Sequence, residues 1–261
     1  MQINRANFLT WYKDLADEFV PLPIPYSNIC ASPQIAWIVG DTMSFIVNKQ
    51  VPISLSHDYT LYLCDLQGNE IDTIDIMEVF VSDLDPLAHY IYGTFTCPDV
   101  AIGDYILKID NVATTYFSNK ISVFNDEALL NTAKYKFRHK FLKNNVEYSN
   151  EALSLFYQEF RLFSSFGEMN NQSSKEIIND IDSQVPREYN TSVSMGYKCS
   201  VFGLDVDKHQ AVLDMITCSE LEINGRRYQS DGSYSPSKIG KSGLSTGTFN
   251  VQDYSLRYAR R

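Results

Sequence analysis

The chain has 261 residues, a formal net charge of −10, 44% hydrophobic and 21% charged residues, the composition of a globular protein able to bury one large core or two ordinary ones. No stretch approaches 18 consecutive apolar residues, and the N-terminus lacks a basic region leading into an apolar one, which argues against a membrane-spanning helix and a signal peptide. The five cysteines (Cys30, Cys64, Cys97, Cys199, Cys218) form no CxxC and no Cys/His zinc spacing, so they read as buried free thiols made in a reducing compartment rather than a disulfide frame or metal centre.

Charge is unevenly distributed. Residues 1–126 carry 16 acids against 5 bases (−11), and residues 127–261 carry 16 acids against 17 bases (+1). That asymmetry suggests two domains with different neighbours. The 17 Tyr and 15 Phe favour strands and interfaces.

In chain order, Phe8, Trp11, Tyr12, Leu15 and Phe19 fall at helical spacing, which predicts an amphipathic helix over residues 5–19. The prolines of VPLPIPYS end it. Such a helix on an extended arm serves as a lid on its own domain or as a docking element for a neighbour. From Ile35 to Phe124 the signal is β: IAWIVG, MSFIVN, YTLYLCD, IDTIDIMEVFVS, HYIYGTFTC, DYILKID and TYFSNKISVF, with a hairpin break at LQGNE. This density of short strands predicts an antiparallel sandwich. Tyr105, near the start of a late strand, stands where immunoglobulin-like domains place their tyrosine corner.

AKYKFRHKF alternates Tyr135, Phe137, His139 and Phe141 with Lys134, Lys136, Arg138 and Lys140. It predicts a half-buried strand whose basic face either protects a sheet edge or meets phosphate or an acidic partner. EALSLFYQEFRLFSSF mixes helical spacing with aromatic density and predicts a short helix running into a strand, and SSKEIINDIDSQVPREYN predicts a long polar excursion. SMGYKCSVFGL follows as a strand, DVDKHQAVLDMITC as an Asp-capped helix, LEINGRRYQ as a hairpin turning on Asn224-Gly225, and TFNVQDYSLRYARR as a closing strand.

Two half-motifs overlap in SPSKIGKSGLSTG (Ser235 to Gly247). Gly240-Lys241-Ser242 matches the end of a phosphate-binding loop, but Ser235 replaces its first glycine, and strand alternation at Phe249 and Val251 follows where a helix is required. Gly243-Leu244-Ser245-Thr246-Gly247 fits a nucleophile elbow, yet no His follows it, and His209 lies upstream beside Asp205 and Asp207. A flexible Gly/Ser loop accounts for both. Asp83, Asp85 and His89 share SDLDPLAHY with Pro86 and read as a turn rather than a Ca²⁺ loop, and His57, His89, His139 and His209 fall on separate elements. No catalytic, cofactor-binding or metal-ligating residue is therefore assigned.

Gly103, Tyr105, Leu107, Lys108 and Ile109, then Phe156, Tyr157, Phe160, Arg161 and Leu162, then Leu221, Ile223, Asn224, Gly225 and Tyr228 occur in an order that resembles minor virion proteins of tailed phages infecting Bacteroidetes, crAss-like phages included. The resemblance covers roughly residues 95–230. It implies a structural, non-enzymatic role without cofactors, as a homo-oligomeric ring subunit of the head-to-tail connector or tail. Its partners would be the portal and other ring and tail proteins, with DNA at most passing through a channel, and its location the virion, assembled in the host cytoplasm. The last 36 residues, with 7 bases against 2 acids, offer a surface to dock on the acidic half of the next subunit.

The expected fold is mainly β (α+β). An N-terminal helix and arm (1–28) precede an immunoglobulin-like antiparallel sandwich (29–126), and a β-rich α+β domain (127–261) with a few short helices and a basic C-terminal segment follows. Two other functions stand as alternatives. One is a carbohydrate- or cell-surface-binding sandwich using aromatics such as Trp37; the other is a hydrolase using Ser245.

Overall fold

The structure, a computed structural model, describes residues 8–9, 11–12, 35–49, 60–85, 88–111, 114–125, 131–138, 157–169, 172–179, 186–204, 206–237, 244–253 and 258–260. The protein is mostly β-sheet, with one helix among these residues.

The N-terminal strands are β1 (Trp11–Tyr12), β2 (Ile35–Ile38), β3 (Thr42–Lys49), β4 (Thr60–Cys64), β5 (Glu70–Ile74), β6 (Ile76–Asp85), β7 (Ala88–Thr96), β8 (Gly103–Asn111), β9 (Thr114–Ser118) and β10 (Ile121–Phe124). β3, β7 and β6 make one sheet, the counterpart of the B, E and D strands of an immunoglobulin domain. β5, β4, β8 and the broken pair β9/β10 make the other, the counterpart of C′, C, F and G. β2 adds to β10 in parallel, and β1 adds to β9 antiparallel.

Tyr105 is a tyrosine corner in geometry as well as position, since its hydroxyl donates to Ala101 O at 2.8 Å. Two residues on, where antibody domains carry the second cysteine of their inter-sheet disulfide, stands fully buried Leu107. Aromatic packing occupies the core instead: Trp37 meets Phe95 edge-on at 5.3 Å, and Phe45 lies 5.9 Å from Phe95 and 6.1 Å from Trp11.

The C-terminal strands are β11 (Thr132–Arg138), β12 (Gln158–Met169), β15 (Gly196–Leu204), β16 (Glu220–Ile223), β17 (Arg226–Pro236) and β18 (Ser245–Asp253). β11 pairs with β12, β12 with β15, β15 with β18, β18 with β17, β17 with β16, and β16 with β11, all antiparallel, so the strands close into a six-membered barrel. Alternation sends Tyr135, Phe137, Phe160, Leu162, Cys199, Val201, Leu221, Ile223, Phe249 and Val251 into the core. β15 and β16 stand opposite each other in that ring, so their connection crosses one barrel end. Helix α1 (Val206–Thr217) makes it, packing on β17, β15 and β18. Its buried face, Lys208, Ala211, Val212, Met215 and Ile216, follows helical periodicity. The β16–β17 turn has φ of 50° at Asn224 and 77° at Gly225, as a type I′ turn requires.

β12 belongs to both halves. One edge of Gln158–Phe163 pairs with β11; on its other edge Arg161 and Leu162 pair with Ala36 and Ile35 of β2, and Ser164 to Met169 pair with β15. A separate three-stranded sheet orders β13 (Gln172–Asn179), β14 (Pro186–Ser194) and β19 (Tyr258–Arg260). β13 follows β12 after two residues and β14 precedes β15 by one, so this sheet repeats the barrel order β12–β15–β18 with the closing strands left off.

Several expectations are corrected. Trp11 and Tyr12 are extended and paired with Ser118 and Phe117 instead of helical. Phe8, Leu9 and Trp11 are core residues, so burial rather than helical propensity sets their conformation; the rest of 1–28 lies outside the described residues. The basic strand β11 is not an edge but is paired on both sides. Of EALSLFYQEFRLFSSF, the described residues from Gln158 on are strand, because pairing with β11 overrides the helical spacing. The polar excursion, residues 173–190, holds most of the β13–β14 pair, whose backbone ladder needs no apolar pattern to form.

Arg161, 8% exposed, grips the Asp41 carboxylate with Nε and with Nη2 at 3.0 Å, and this joins β12 to the turn after β2. Arg161→Ala is expected to lower stability by about 2–4 kcal/mol, because it leaves a partly buried carboxylate with only the Lys134 ammonium, 4.0 Å away, as counter-charge. In denaturant titration, the double variant with Asp41→Ala should lose less than the sum of the two single losses.

Candidate functional site

The GLSTG segment begins β18, and the barrel fixes where its residues go. Ser245, 6% exposed, pairs with Leu204 at the end of β15, and Gly247 lies between Val201 of β15 and Pro236 of β17. α1 crosses the same barrel end and brings His209 onto this hairpin. His209 Nε2 meets Ser245 Oγ at 2.5 Å, and Nδ1 meets the Tyr234 hydroxyl. Ser245 Oγ also reaches Leu204 O at 3.3 Å. The structure thus unites Ser245 and His209, a pair that sequence could only name as conceivable, and adds Tyr234, which no motif marked.

His209 thus links Tyr234 through Nδ1 to Ser245 through Nε2, and Ser245 Oγ also lies within reach of Leu204 O. Burial pushes the Tyr234 phenol up to about 12, which keeps it protonated, and a neutral hydroxyl both donates and accepts. A serine nucleophile needs the proton on Nδ1 facing a carboxylate and a lone pair on Nε2 facing the serine. Here Nδ1 faces the Tyr234 phenol instead of a carboxylate. The chain of hydrogen bonds fastens α1 across the barrel end.

Gly247 completes that fastening. A Cβ there would lie 2.8 Å from Tyr234 ring carbons and closer still to its hydroxyl, so only glycine lets the phenol reach His209. The second glycine of the elbow pattern is therefore a packing requirement. Gly240-Lys241-Ser242 lie outside the described residues, while Ser235 and Pro236 end β17.

The basic face of β11 is occupied by the protein's own acids. Lys134 and Lys136 pair with Glu159 at 3.1 and 2.8 Å, and Arg138 pairs with Glu220 at 2.6 Å. Tyr157 lies under Lys136 (4.7 Å) and Arg138 (4.2 Å) and donates its hydroxyl to Glu220 at 2.6 Å. These cations hold β11, β12 and β16 together. Trp37, the aromatic named for carbohydrate binding, is fully buried and donates Nε1 to Asp41 O at 3.1 Å. Asp83 and Asp85 lie at the end of β6 and His89 near the start of β7, while His57 and His139 lie outside the described residues. Among the described residues no group of His, Cys, Asp or Glu is placed to hold a metal ion.

Cys64, Cys97 and Cys199 are buried free thiols, and burial pushes them up to about 11, 12 and 12; Cys218 is half-buried.

No known family profile matches the chain, and no curated protein does. Among solved structures, the chain is similar to the crystal structure of the ZIG-8 IG1 homodimer over 42% of this chain and 97% of that one, at 9% identity with a TM-score of 0.18. It is similar to DIP-gamma IG1+IG2 over 65% of this chain and 86% of that one, at 10% identity with a TM-score of 0.16.

Gly247→Ala is expected to cost about 1–3 kcal/mol through overpacking. Combining it with Tyr234→Ala should cost less than the two losses added together, and a thermal or denaturant double-mutant cycle reads that coupling. With a thiol reagent at pH 8, Cys218 should label first among the four described thiols, while Cys64, Cys97 and Cys199 react only as fast as the fold opens; mass spectrometry of the digested protein measures the order, and Cys30 lies outside the described residues.

Proposed function

We propose that this chain is a non-enzymatic structural subunit of a tailed-phage virion, assembling into a ring in the head-to-tail connector or tail. The observation that carries this reading is the strand shared by the two halves. β12 is hydrogen-bonded into the sandwich through β2 and into the barrel through β11 and β15. The Arg161–Asp41 pair, and Ser44 Oγ bridging Tyr157 O (3.2 Å) and Glu159 N (2.9 Å), bind the same junction. A unit coupled in this way transmits load between neighbours without hinging, which a ring subunit requires.

Residues that carry the resemblance to phage virion proteins work in this frame. Phe160 and Leu162 are buried, Arg161 ties the junction, Tyr105 makes the corner, and Asn224-Gly225 makes the turn. The Ser245–His209–Tyr234 chain supports the same reading, since a phenol stands behind the imidazole where a triad places a carboxylate. The partners on this reading are copies of the chain, the portal and other ring or tail proteins.

Negative-stain microscopy of the purified chain, alone and mixed with portal and neighbouring virion proteins, is expected to show rings. A chain that stays monomeric with those partners and binds glycans instead overturns the reading. Ester turnover that disappears in Ser245→Ala overturns its non-enzymatic part.

A further inference from the structure

Phe8, Leu9 and Trp11 are core residues, yet what holds this segment lies far along the chain. Trp11 and Tyr12 pair with Ser118 and Phe117 of β9, Trp11 meets Phe45 of β3 edge-on at 6.1 Å, Phe8 packs on Phe160 of β12 at 5.2 Å, and Asn119 Nδ2 donates to Phe8 O at 3.3 Å. Together these partners form a slot that offers a strand edge to the backbone and aromatic contacts to two side chains, the combination that strand addition uses. None of them lies within residues 13–34, so the same segment from a second copy gains the same contacts.

The tether bears on which copy supplies the segment. β9 and β10 follow one another along β8, and on their other edge β1 pairs with β9 and β2 with β10. Tyr12 stands opposite Phe117 and Ile35 opposite Ile121, four residues apart along that edge, which is about 13 Å. A connection of about four to six residues closes such a gap. The chain has 22, residues 13–34. Fully extended they reach about 70 Å, and Pro21, Pro23 and Pro25 favour extended backbone in the residues before them. Two compact copies of a chain of this size stand about 45 Å apart, centre to centre. The tether is therefore several times longer than its own gap needs and long enough to reach the slot of a neighbour. A tether favours binding most when its mean length matches the span, and less as it grows beyond it.

We propose that residues 8–12 are exchanged between copies: in the assembled protein the segment of each copy fills the slot of the next, pairing with its β9 and packing on its Phe45 and Phe160. This deepens the ring reading, on which the one-way order of the exchange rests, since a segment passed on in one direction makes a heterologous contact, the kind that closes a ring.

The test places Tyr12→Cys and Phe117→Cys in separate chains, because these positions face one another across β1 and β9 within disulfide range. The two variants are mixed with portal and neighbouring virion proteins under mild oxidation, and mass spectrometry looks for the disulfide-linked 12–117 peptide. Each chain carries one half of the pair, so that peptide forms only between copies; wild type treated in the same way accounts for the native cysteines. The mixture is expected to yield the peptide in a two-chain band on non-reducing electrophoresis, and a chain with both substitutions a ladder of larger covalent species. A further variant deletes residues 16–31 and leaves six, which still span the gap within one chain but no longer reach a neighbour. It is expected to keep its circular dichroism and lose assembly; if it unfolds, the cysteine pair alone decides. Rings that form while the mixture yields no 12–117 peptide, and the doubly substituted chain closes its disulfide only within itself, overturn the exchange and leave the ring reading intact. Assembly of the folded short variant at the wild-type level overturns the exchange as well. The peptide found in the mixture without rings supports the exchange and overturns the ring reading, and a chain that stays monomeric with its partners overturns both.

Discussion

The architecture depends on β12 having two neighbours along one edge. Its first half lies against β2 at Arg161 and Leu162, and from Ser164 onward the same edge passes to β15. A strand offers only one row of hydrogen bonds per edge, so the hand-over between sandwich and barrel must fall near Phe163. The guanidinium of Arg161 sits at that point, bound to Asp41, with Thr132 Oγ1 at 3.4 Å. Phe124 and Phe163 meet edge-on there at 5.3 Å, and Phe8 packs on Phe160 at 5.2 Å. Apolar burial brings the halves together, and the bidentate pair fixes how they register, since a fork-and-carboxylate contact tolerates little rotation.

Either side of that junction, each half solves a closure problem without covalent help. The sandwich holds Leu107 where a disulfide half would sit and fills the space with Trp11, Trp37, Phe45 and Phe95. The tyrosine corner then pins the start of β8 with one directional hydrogen bond. The barrel removes its own sheet edges by closing, and α1 covers one end with an apolar face that is anchored by His209. In this half, among the described residues, open edges lie where the closing strands stop, at β13 and β19.

The buried polar groups at the barrel end tie α1 to the β17–β18 hairpin. Serine and histidine at hydrogen-bond distance, with a third hydroxyl behind the imidazole, reproduce the outline of a triad. The third group differs in kind. A carboxylate only accepts from Nδ1, whereas a phenol kept neutral by burial both donates and accepts and brings no charge to steady an imidazolium.

Strand alternation was legible from residue order: the strands from Ile35 to Phe124, the Asn224-Gly225 turn, the corner at Tyr105 and the burial of Tyr135 and Phe137 follow from period-two patterning and backbone steric rules, which are local. Trp11 and Tyr12 were misread because helical spacing and a single buried strand residue look alike when the pairing partner, β9, lies a hundred residues away. The same distance hid the role of the lysines on β11, whose counter-charges come from β12 and β16. The Ser245–His209–Tyr234 chain was half visible: the serine and the histidine could be named, but not the phenol or their meeting at one barrel end. Sequence by itself determined which residues face inward along each strand, because alternation is built into the extended backbone. Only the tertiary structure decided which strands meet, that the barrel closes, and which polar side chains find each other, because those depend on contacts between segments that local order does not encode.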